Sequence, residues 1–587
     1  MLYFVFTADA GKRICLALLL LLLAACGGGS SSSSNVTPPV VQPSITVTPK
    51  TALVSVGTSA QFFAVVANSS SAAVNWSASV GTIDQSGNYI GPASVPNGGL
   101  ATVTATSVSA PSVSALATIT ISSQPVTLSI SPPTATVKAG FRLDYTALVG
   151  GTSNTTVTWA ANDLPGDDTY PGSIVAGDYT APSPLLAADT YSITATSVAD
   201  PSKTASATVT AIPLENQEQQ TFPIALGASG VNANTQDCCS GTLGSLLVDQ
   251  KGKQYILSNN HVMGRVGHAV AGEAIVQPGF VDTFCDFSTP KTVANFTAAP
   301  PINSGVDAAI AQVLPGAVDP AGNIIGLGGV NPDGSYISAP PANSIATAAV
   351  DMAVAKSGRT TGLSCGFVEG ISGTVLVDYP AECGNPSAGT AAFTNQVIVN
   401  DIVSPGDSGS LIVDAATAQP VALVSASSAD GLFSTGNPAG DILAALTATT
   451  GSTFAFVGGA QHPVSCSATS QSSIQSSSRG WQRANPPAMP PLAREEVLNA
   501  IAVQSRHQVE IMRNPSVIGV AVSRSQSDSK RAALLVFVER GRNLPSLPTQ
   551  IEGVAVQVIL TGRFISGARA SEKQRTLCGL RSPGRNN

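Results

Sequence analysis

A mainly β, multidomain protein is the fold class that the sequence predicts, and three observations support it. The chain has 587 residues, which is too many for a single hydrophobic core. It contains 55 glycines and 40 prolines but only 11% charged residues, a composition typical of short strands joined by turns. Its first third also repeats itself with a period of 83 to 90 residues.

The N-terminus is predicted to be a targeting segment. Lys12 and Arg13 precede an apolar run at 14–23 that is too short to span a bilayer. The sequence LAAC then ends at Cys26, and glycines and serines follow. This order resembles the lipobox of bacterial lipoproteins, in which the cysteine is lipidated; a plain secretory signal is the alternative.

The resemblance implies a signal peptide at 1–26, a linker at 27–43 and a lipid anchor on Cys26. Residue 27 is Gly, not the aspartate that retains many such proteins at the inner membrane. The expected location is therefore the cell envelope, at the outer membrane, the cell surface or in the periplasm. No other segment is apolar enough to predict a transmembrane helix.

Two repeats, at 44–122 and 125–212, each alternate Val, Thr, Ser and Ala in short runs separated by turn residues. They resemble bacterial immunoglobulin-like domains, which implies two β-sandwiches with Trp76 and Trp159 packed between their sheets. Neither repeat has a cysteine pair or a cluster of carboxylates suited to calcium. They are expected to be a spacer, with an adhesive module for glycan or protein as the alternative.

Residues 221–466 are predicted to form the next domain, beginning with strands at 241–248 and 254–258 joined by a hairpin. Its most distinctive stretch is 404–410, SPGDSGS, which places a serine in a glycine-flanked turn. A serine hydroxyl becomes a nucleophile only beside a base and beneath backbone N–H groups that stabilise the developing negative charge. An ordinary loop is the alternative interpretation of this stretch alone.

A histidine and an aspartate precede that serine. His261 follows the second strand, and Asp307 interrupts the apolar run at 305–311. A buried carboxylate is costly unless it is paired or hydrogen-bonded, and an imidazole is a suitable partner. The order His261, Asp307, Ser408 is that of one known catalytic triad.

Four short motifs then occur in order, at 258–261, 306–310, 357–366 and 406–409. On these motifs residues 227–466 resemble trypsin/chymotrypsin-type serine peptidases of the bacterial branch. The resemblance implies a double β-barrel of chymotrypsin type with the active site between the two barrels.

By this resemblance Ser408 is the nucleophile, His261 the general base, and Asp307 the residue that orients it. The N–H groups of Gly406 and Ser408 would form the oxyanion hole. The expected function is an exported, lipid-anchored serine endopeptidase that acts through an acyl-enzyme on a protein or peptide substrate. No cofactor, metal or nucleic acid is implied. The alternative is a surface binding or adhesion protein with an inactive peptidase-like domain.

The resemblance also leads to three expectations about the surroundings of this site. Asp407 is expected to pair with Lys356, with Arg359 as the alternative cation and two unrelated surface charges as the other possibility. Ile402, at the position of the acidic specificity residue, argues against a strict Lys/Arg preference. Residues 424–427 are expected to form an edge strand that pairs with a substrate backbone.

Nine cysteines are present, and six of them fall in the central region, which suggests three disulfides in an exported protein. Cys365–Cys383 is the expected local pair, Cys578 has no obvious partner, and metal binding is the alternative for the set. The six central cysteines are Cys238, Cys239, Cys285, Cys365, Cys383 and Cys466.

The C-terminal part is predicted to be a linker at 467–491, a small α/β domain at 492–568 and a basic tail at 569–587. The α/β domain should contain a helix at 492–513 followed by three strands, with His507 as a surface residue. Residues 479–587 contain 16 Lys/Arg and 7 Asp/Glu, which gives a net charge of +9. Substrate binding, regulation through this charge and simple packing remain open as roles. The three strands are expected at 517–522, 532–538 and 554–560, with Val554, Val556, Val558 and Leu560 on one apolar face of the last.

Overall fold

The computed structural model describes residues 42–567 with internal gaps, so Cys26, Cys466, Cys578 and the predicted leader and tail lie outside the described residues. The described part forms two compact units, which divide after residue 124 and are treated separately below. The gaps are 124, 153, 164–170, 186, 236, 332–333, 401, 466–489 and 545. The described chain is mainly β and multidomain, with sandwich-like sheets.

The first unit is a β-sandwich of nine strands in three sheets, ordered β1-β4, β2-β9-β8-β5 and β3-β7-β6. Phe62, Tyr89 and Trp76 are buried between the sheets, as alternation of apolar and hydroxyl residues predicts. The strands are β1 Ser44–Thr48, β2 Thr51–Ser55, β3 Ser59–Gln61, β4 Phe63–Ala67, β5 Val74–Ala78, β6 Thr82–Ile83, β7 Asn88–Ile90, β8 Leu100–Ser107 and β9 Ser114–Ser122.

The second unit opens with a sandwich of the same topology, in which β11-β18-β17-β14 matches β2-β9-β8-β5. Tyr179 is fully buried at the position of Tyr89, and Trp159 packs against the core while partly buried. The strands are β10 Thr127–Ser131, β11 Thr134–Lys138, β12 Arg142–Asp144, β13 Thr146–Gly150, β14 Val157–Asp163, β15 Ser173–Val175, β16 Asp178–Thr180, β17 Asp189–Ser197 and β18 Thr204–Ile212.

An eight-stranded sheet follows, in the order β20-β19-β23-β24-β25-β22-β21-β34. The short helix α1 (Asn260–Met263) continues directly from β22, and three 3-10 turns lie at Arg265–Gly267, Phe280–Thr283 and Ile302–Ser304. The strands are β19 Ala228–Asn232, β20 Gly241–Leu243, β21 Ser245–Asp249, β22 Gln254–Ser258, β23 Ala274–Gln277, β24 Lys291–Ala298, β25 Ala309–Val313 and, much later, β34 Phe454–Phe456.

Strand β28 pairs with both β31 and β29, so six strands (β28-β31-β32-β33-β30-β29) close on themselves. A separate hairpin, β26-β27, precedes them, and helix α2 (Ala439–Thr450) follows. The strands are β26 Ile324–Val330, β27 Tyr336–Ala339, β28 Ala353–Gly358, β29 Gly362–Tyr379, β30 Gly389–Asn400, β31 Leu411–Asp414, β32 Pro420–Ser428 and β33 Phe433–Pro438.

The C-terminal strands extend this same sheet, because β35 pairs with β29 and the order continues β35-β36-β38-β37. Helix α3 (Arg494–Met512) packs on it through Ala500, Val503 and Ile511. No helix within 42–567, where the chain is described, is long and apolar enough to cross a membrane. The remaining strands are β35 Val517–Arg524, β36 Ala532–Glu539, β37 Gln550–Ile551, β38 Val554–Thr561 and β39 Phe564–Ile565.

Two predicted strands differ from those observed. The strand expected at 241–248 breaks at Gly244, where the chain passes against the backbone of Gly409. The apolar face expected along 554–560 is only half right, because Val558 and Leu560 are exposed while Ile559 is buried against a second core. Strand β38 lies between two cores, so its pattern does not follow one face.

We expect Gly244→Ala to destabilise the protein by about 1–3 kcal/mol or more, because the added Cβ overpacks a backbone contact. A Cβ at this position would lie 1.8 Å from the Gly409 carbonyl oxygen. Urea unfolding of both proteins measures the change. Gly389→Ala is the control, since nothing lies within 4 Å of its Cβ position; equal stability of the two variants would contradict the prediction.

His507 lies on the surface and contacts Glu552, as does Arg506. Hydrogen bonds from Arg506 and then His507 lower the pKa of the Glu552 carboxyl from 4.5 to about 2. A lowered carboxyl pKa stabilises the fold above the unfolded value, and that stability is lost as the pH falls from 4.5 towards 2. Glu552→Gln should therefore be less stable than wild type at pH 6 and converge with it near pH 2, as measured by urea unfolding. A gap that is unchanged across this range would contradict the assignment.

Candidate functional site

Buried Asp307 joins four separate segments of the central region through its carboxylate and its backbone N–H. It accepts hydrogen bonds from the backbone N–H of His261 at 3.2 Å, from His261 Nδ1 at 2.5 Å and from the Tyr379 hydroxyl at 2.8 Å. The Asp307 backbone N–H donates to Asn437 Oδ1 at 3.0 Å. All four residues are buried, so this cluster can offset the cost of placing a carboxylate in the interior.

Two asparagines position His261 at the end of β22. Asn259 Nδ2 donates to the Asp307 carbonyl at 2.6 Å, and Asn260 Nδ2 donates to the Pro300 carbonyl at 2.9 Å. The amide side chains therefore tie α1 to the two segments that flank it. This accounts for the asparagine pair that precedes the histidine in the sequence.

Ser408 lies in a tight turn that packs on β20. The Thr242 backbone N–H donates to the Ser408 carbonyl at 2.9 Å, and Thr242 Oγ1 donates to the Gly406 carbonyl at the same distance. Gly406 has a φ of +105°, and a Cβ there would lie 2.3 Å from Thr360 Oγ1, so glycine is required on both counts. The structure thus brings Gly406 and Ser408 into one rigid turn.

The structure joins His261 to Asp307 but does not join Ser408 to either. Among the described residues His261 Nε2 is buried and has no hydrogen-bond partner, so it makes no hydrogen bond to the Ser408 hydroxyl. General-base activation of a serine requires that contact. The structure therefore contains a hydrogen-bonded His261–Asp307 pair and a separate turn that carries Ser408.

Asp407 is fully buried and forms an ion pair with Lys356, whose Nζ lies 2.9 Å from Asp407 Oδ2. The expected partner is thus found, and the pair lies inside the protein. The carboxylate also accepts hydrogen bonds from the backbone N–H groups of Thr360, Thr361 and Ser404 at 2.8 to 3.1 Å. Burial lowers the pKa of the Lys356 ammonium, and the Asp407 charge opposes that shift.

Arg359, the alternative cation, pairs with a different carboxylate. Its guanidinium binds both oxygens of buried Asp282, with Nη2 at 2.6 Å from Oδ1 and Nε at 2.8 Å from Oδ2. Burial alone would lower the pKa of Arg359, but the Asp282 carboxylate outweighs it and the pKa is raised. The sequence contained no sign of Asp282 or Tyr379 as partners, since each lies more than 70 residues away.

One expectation about neighbouring residues is corrected. Residues 424–427 are not an edge strand: Val424 bonds to the backbone of Gly409 and Ser410, and Ser427 pairs with both β33 and β39. Ile402 is buried and packs within an apolar core cluster.

The disulfides also differ from the expected pairing. Cys238 is bonded to Cys285, and Cys239 to Cys383, so the expected Cys365–Cys383 pair is wrong. Cys365 is itself disulfide-bonded. Sequence proximity misled the expectation because the adjacent cysteines 238 and 239 reach two loops that only the fold brings together. Nowhere in the described ranges do three or more His, Cys, Asp or Glu side chains form a group that could hold a metal.

Comparisons with known proteins give no family. No family model matches the chain, and no curated protein matches it. Among solved structures, mouse clustered PcdhgC3 EC1-3 is 13% identical, with 30% of this chain and 68% of that chain covered and a TM-score of 0.17. The N-terminal four Ig domains of Dscam1 isoform 9.44 are 14% identical, with 30% and 45% covered and a TM-score of 0.17. Drosophila N-cadherin EC1-4 is 14% identical, with 30% and 49% covered, again with a TM-score of 0.17.

The expected assignment to trypsin/chymotrypsin-like serine peptidases is not borne out by any of these comparisons. The three structures named above comprise EC or Ig domains, and none of the three is a peptidase. The serine endopeptidase activity, and the peptide substrate that went with it, are withdrawn.

We expect Lys356→Met to destabilise the protein by about 3–5 kcal/mol, because it leaves the buried Asp407 carboxylate without its cation. Lys356→Met combined with Asp407→Asn should recover part of that loss, since the uncompensated charge is then gone. Urea unfolding of the single and double variants measures both effects. A single variant as stable as wild type would show that the three backbone hydrogen bonds to Asp407 suffice without the cation.

Proposed function

We propose that this is an exported surface protein that binds protein, and that the first β-sandwich associates with a second copy of itself. The observation that carries the proposal is an apolar row on the outward face of the sheet β2-β9-β8. Leu53 and Leu100 are 74% and 54% exposed and flank Thr120, with which both are in register. Leu116, on the same strand as Thr120, is also exposed.

The second sandwich provides an internal comparison, because the same register positions are polar there. Thr136 and Thr190 flank Thr210 in the row that corresponds to Leu53, Leu100 and Thr120. The fold of the repeat therefore does not require leucine at these positions. Exposed leucines that the fold does not need are typical of a surface that is covered by a partner.

Charge favours an uncharged protein surface as the partner. Residues 44–122 contain only two charged residues, Lys50 and Asp84, whereas 125–212 contain ten. Nucleic acids and anionic lipids are bound through clustered cations, which this domain lacks. Two copies of an uncharged leucine and threonine face can meet without electrostatic repulsion, and a twofold arrangement uses each face once.

Location outside the cytoplasm is part of the proposal. The disulfides Cys238–Cys285 and Cys239–Cys383 support an oxidising compartment, and we propose lipid anchoring through Cys26 on the sequence alone. The domain boundaries at 44–122, 125–212, 221–466 and 492–568 belong to the same proposal. So does a two-barrel arrangement of the central region, which the ring closed by β28 and β29 supports.

For the central site we propose that its residues hold chain segments together and catalyse no reaction. His261, Asp307 and Tyr379 would hold three segments together, and Lys356 with Asp407 would fix the turn that carries Gly406 and Ser408. The proposal agrees with the burial of all these charged groups. It assigns no bond-making step to Ser408.

Leu53→Thr combined with Leu100→Thr gives the first sandwich the polar row of the second and should weaken self-association at least about tenfold. Burying one leucine side chain stabilises by about 1.5–3 kcal/mol, and a twofold interface loses two copies of each. Sedimentation velocity over a range of protein concentrations measures the monomer–dimer equilibrium.

Leu148→Thr is the matched control, because Leu148 is equally exposed but lies in the second sandwich. It should leave the equilibrium unchanged. A wild-type protein that stays monomeric up to about millimolar concentration, or a double variant that dimerises like wild type, would overturn the proposal.

A further inference from the structure

Strand β39, the last strand described, occupies a slot between β29 and β32. Phe564 and Ile565 pair in parallel with Val377 and Asp378 of β29. On the other side they pair in antiparallel fashion with Ser428 and Ser427 of β32. A two-residue strand of the C-terminal part is thus inserted between strands of the central region.

Each wall of the slot also pairs with a strand other than β39. On their far sides Val377 and Asp378 pair with Ala391 and Thr390 of β30. Ser427 likewise pairs with Ser434 of β33. Because each wall is held by another strand, backbone donors and acceptors would face the slot in the same positions if β39 left.

Side chains give the slot a definite preference. Phe564 is fully buried and packs edge-on against Phe537 at a centroid distance of 5.7 Å, while Ile565 points outward and is partly exposed. Arg563, just before, donates to Asp378 Oδ2 at 3.0 Å and to Glu539 Oε1 at 2.9 Å. The Ser566 backbone N–H donates to the Asp378 carbonyl at 3.0 Å. The slot therefore selects a basic residue, a buried aromatic, an exposed aliphatic and a small residue in extended conformation.

The slot adjoins the buried polar cluster. Asp378 directly precedes Tyr379, whose hydroxyl donates to Asp307. The Tyr379 ring lies edge-on to the His261 ring at a centroid distance of 6.1 Å. An occupant of the slot thus lies beside the strand end that supports His261.

We propose that this slot is a binding site for an extended peptide segment of another protein, with residues 563–567 as a displaceable internal occupant. Addition of a strand between preformed walls supplies affinity through backbone hydrogen bonds and specificity through alternate side chains. Because the internal segment fills the slot, the apparent affinity equals the intrinsic affinity multiplied by the fraction of molecules in which the slot is open. The site is independent of the leucine face of the first sandwich.

The test uses the full chain and a fluorescein-labelled peptide with the sequence of residues 562–567, GRFISG, followed by fluorescence anisotropy. Phe564→Ala removes the internal anchor but leaves both walls, so it should bind the peptide at least about tenfold more tightly than wild type. Replacing the peptide's phenylalanine by alanine should abolish that gain. Phe454→Ala is the matched control, since Phe454 packs edge-on against Tyr255 in the other large sheet, and it should bind like wild type.

Native-state hydrogen exchange on the wild type tests whether residues 563–567 leave the slot, even if Phe564→Ala fails to fold. The Ser566 and Ala429 amides, which bond across the slot, should exchange together through an opening smaller than global unfolding. Exchange of both only by global unfolding would overturn the proposal. So would a folded Phe564→Ala variant that binds the peptide no better than wild type or the Phe454→Ala control.

Discussion

Three buried carboxylates, Asp282, Asp307 and Asp407, set the constraint on which the central region depends. Each is at most 2% exposed, so each must be neutralised or hydrogen-bonded inside the protein. Arg359 binds the first, His261 and Tyr379 the second, and Lys356 the third. Every one of these contacts crosses between chain segments 46 to 77 residues apart. The charged groups therefore specify how the segments meet, while the apolar residues supply most of the driving force.

Local pattern predicted local structure well. The sandwich strands, the hairpin at 249–253 and helix α3 follow from alternation, turn residues and helical periodicity, and the structure has each of them. The pairing of Lys356 with Asp407 was also predicted, because the resemblance to bacterial peptidases implied a basic residue at position 356, and the structure has this pair. Partners that depend on the path of the chain could not be predicted from the sequence. Tyr379 reaches Asp307 and Cys239 reaches Cys383 only because distant strands are adjacent in the fold.

Function was less predictable than fold for a physical reason. Short glycine and serine motifs specify turns, and a turn such as 404–410 can be built for close packing on Thr242 as well as for chemistry. What separates the two uses is the contact between Ser408 and His261, which depends on placement to within a few tenths of an ångström. A sequence motif contains no such information, and the same limit applies to any activity inferred from motif order alone.

The C-terminal strands show how the same physics creates a binding site without a conspicuous cavity. Strand β29 is 18 residues long, and its pairing with β30 shifts register around Gly370 and Gly373. There β35 also pairs with β29, and a Cβ at Gly370 would already press on Ala521 at 3.1 Å. The sheet thereby continues into β36 and β38, and the chain returns to the end of β29 as β39. A strand that returns to walls already paired on their far sides adds contacts without being needed to hold the sheet. This separation between the stability of the walls and the stability of the occupant is the property that an exchangeable strand requires.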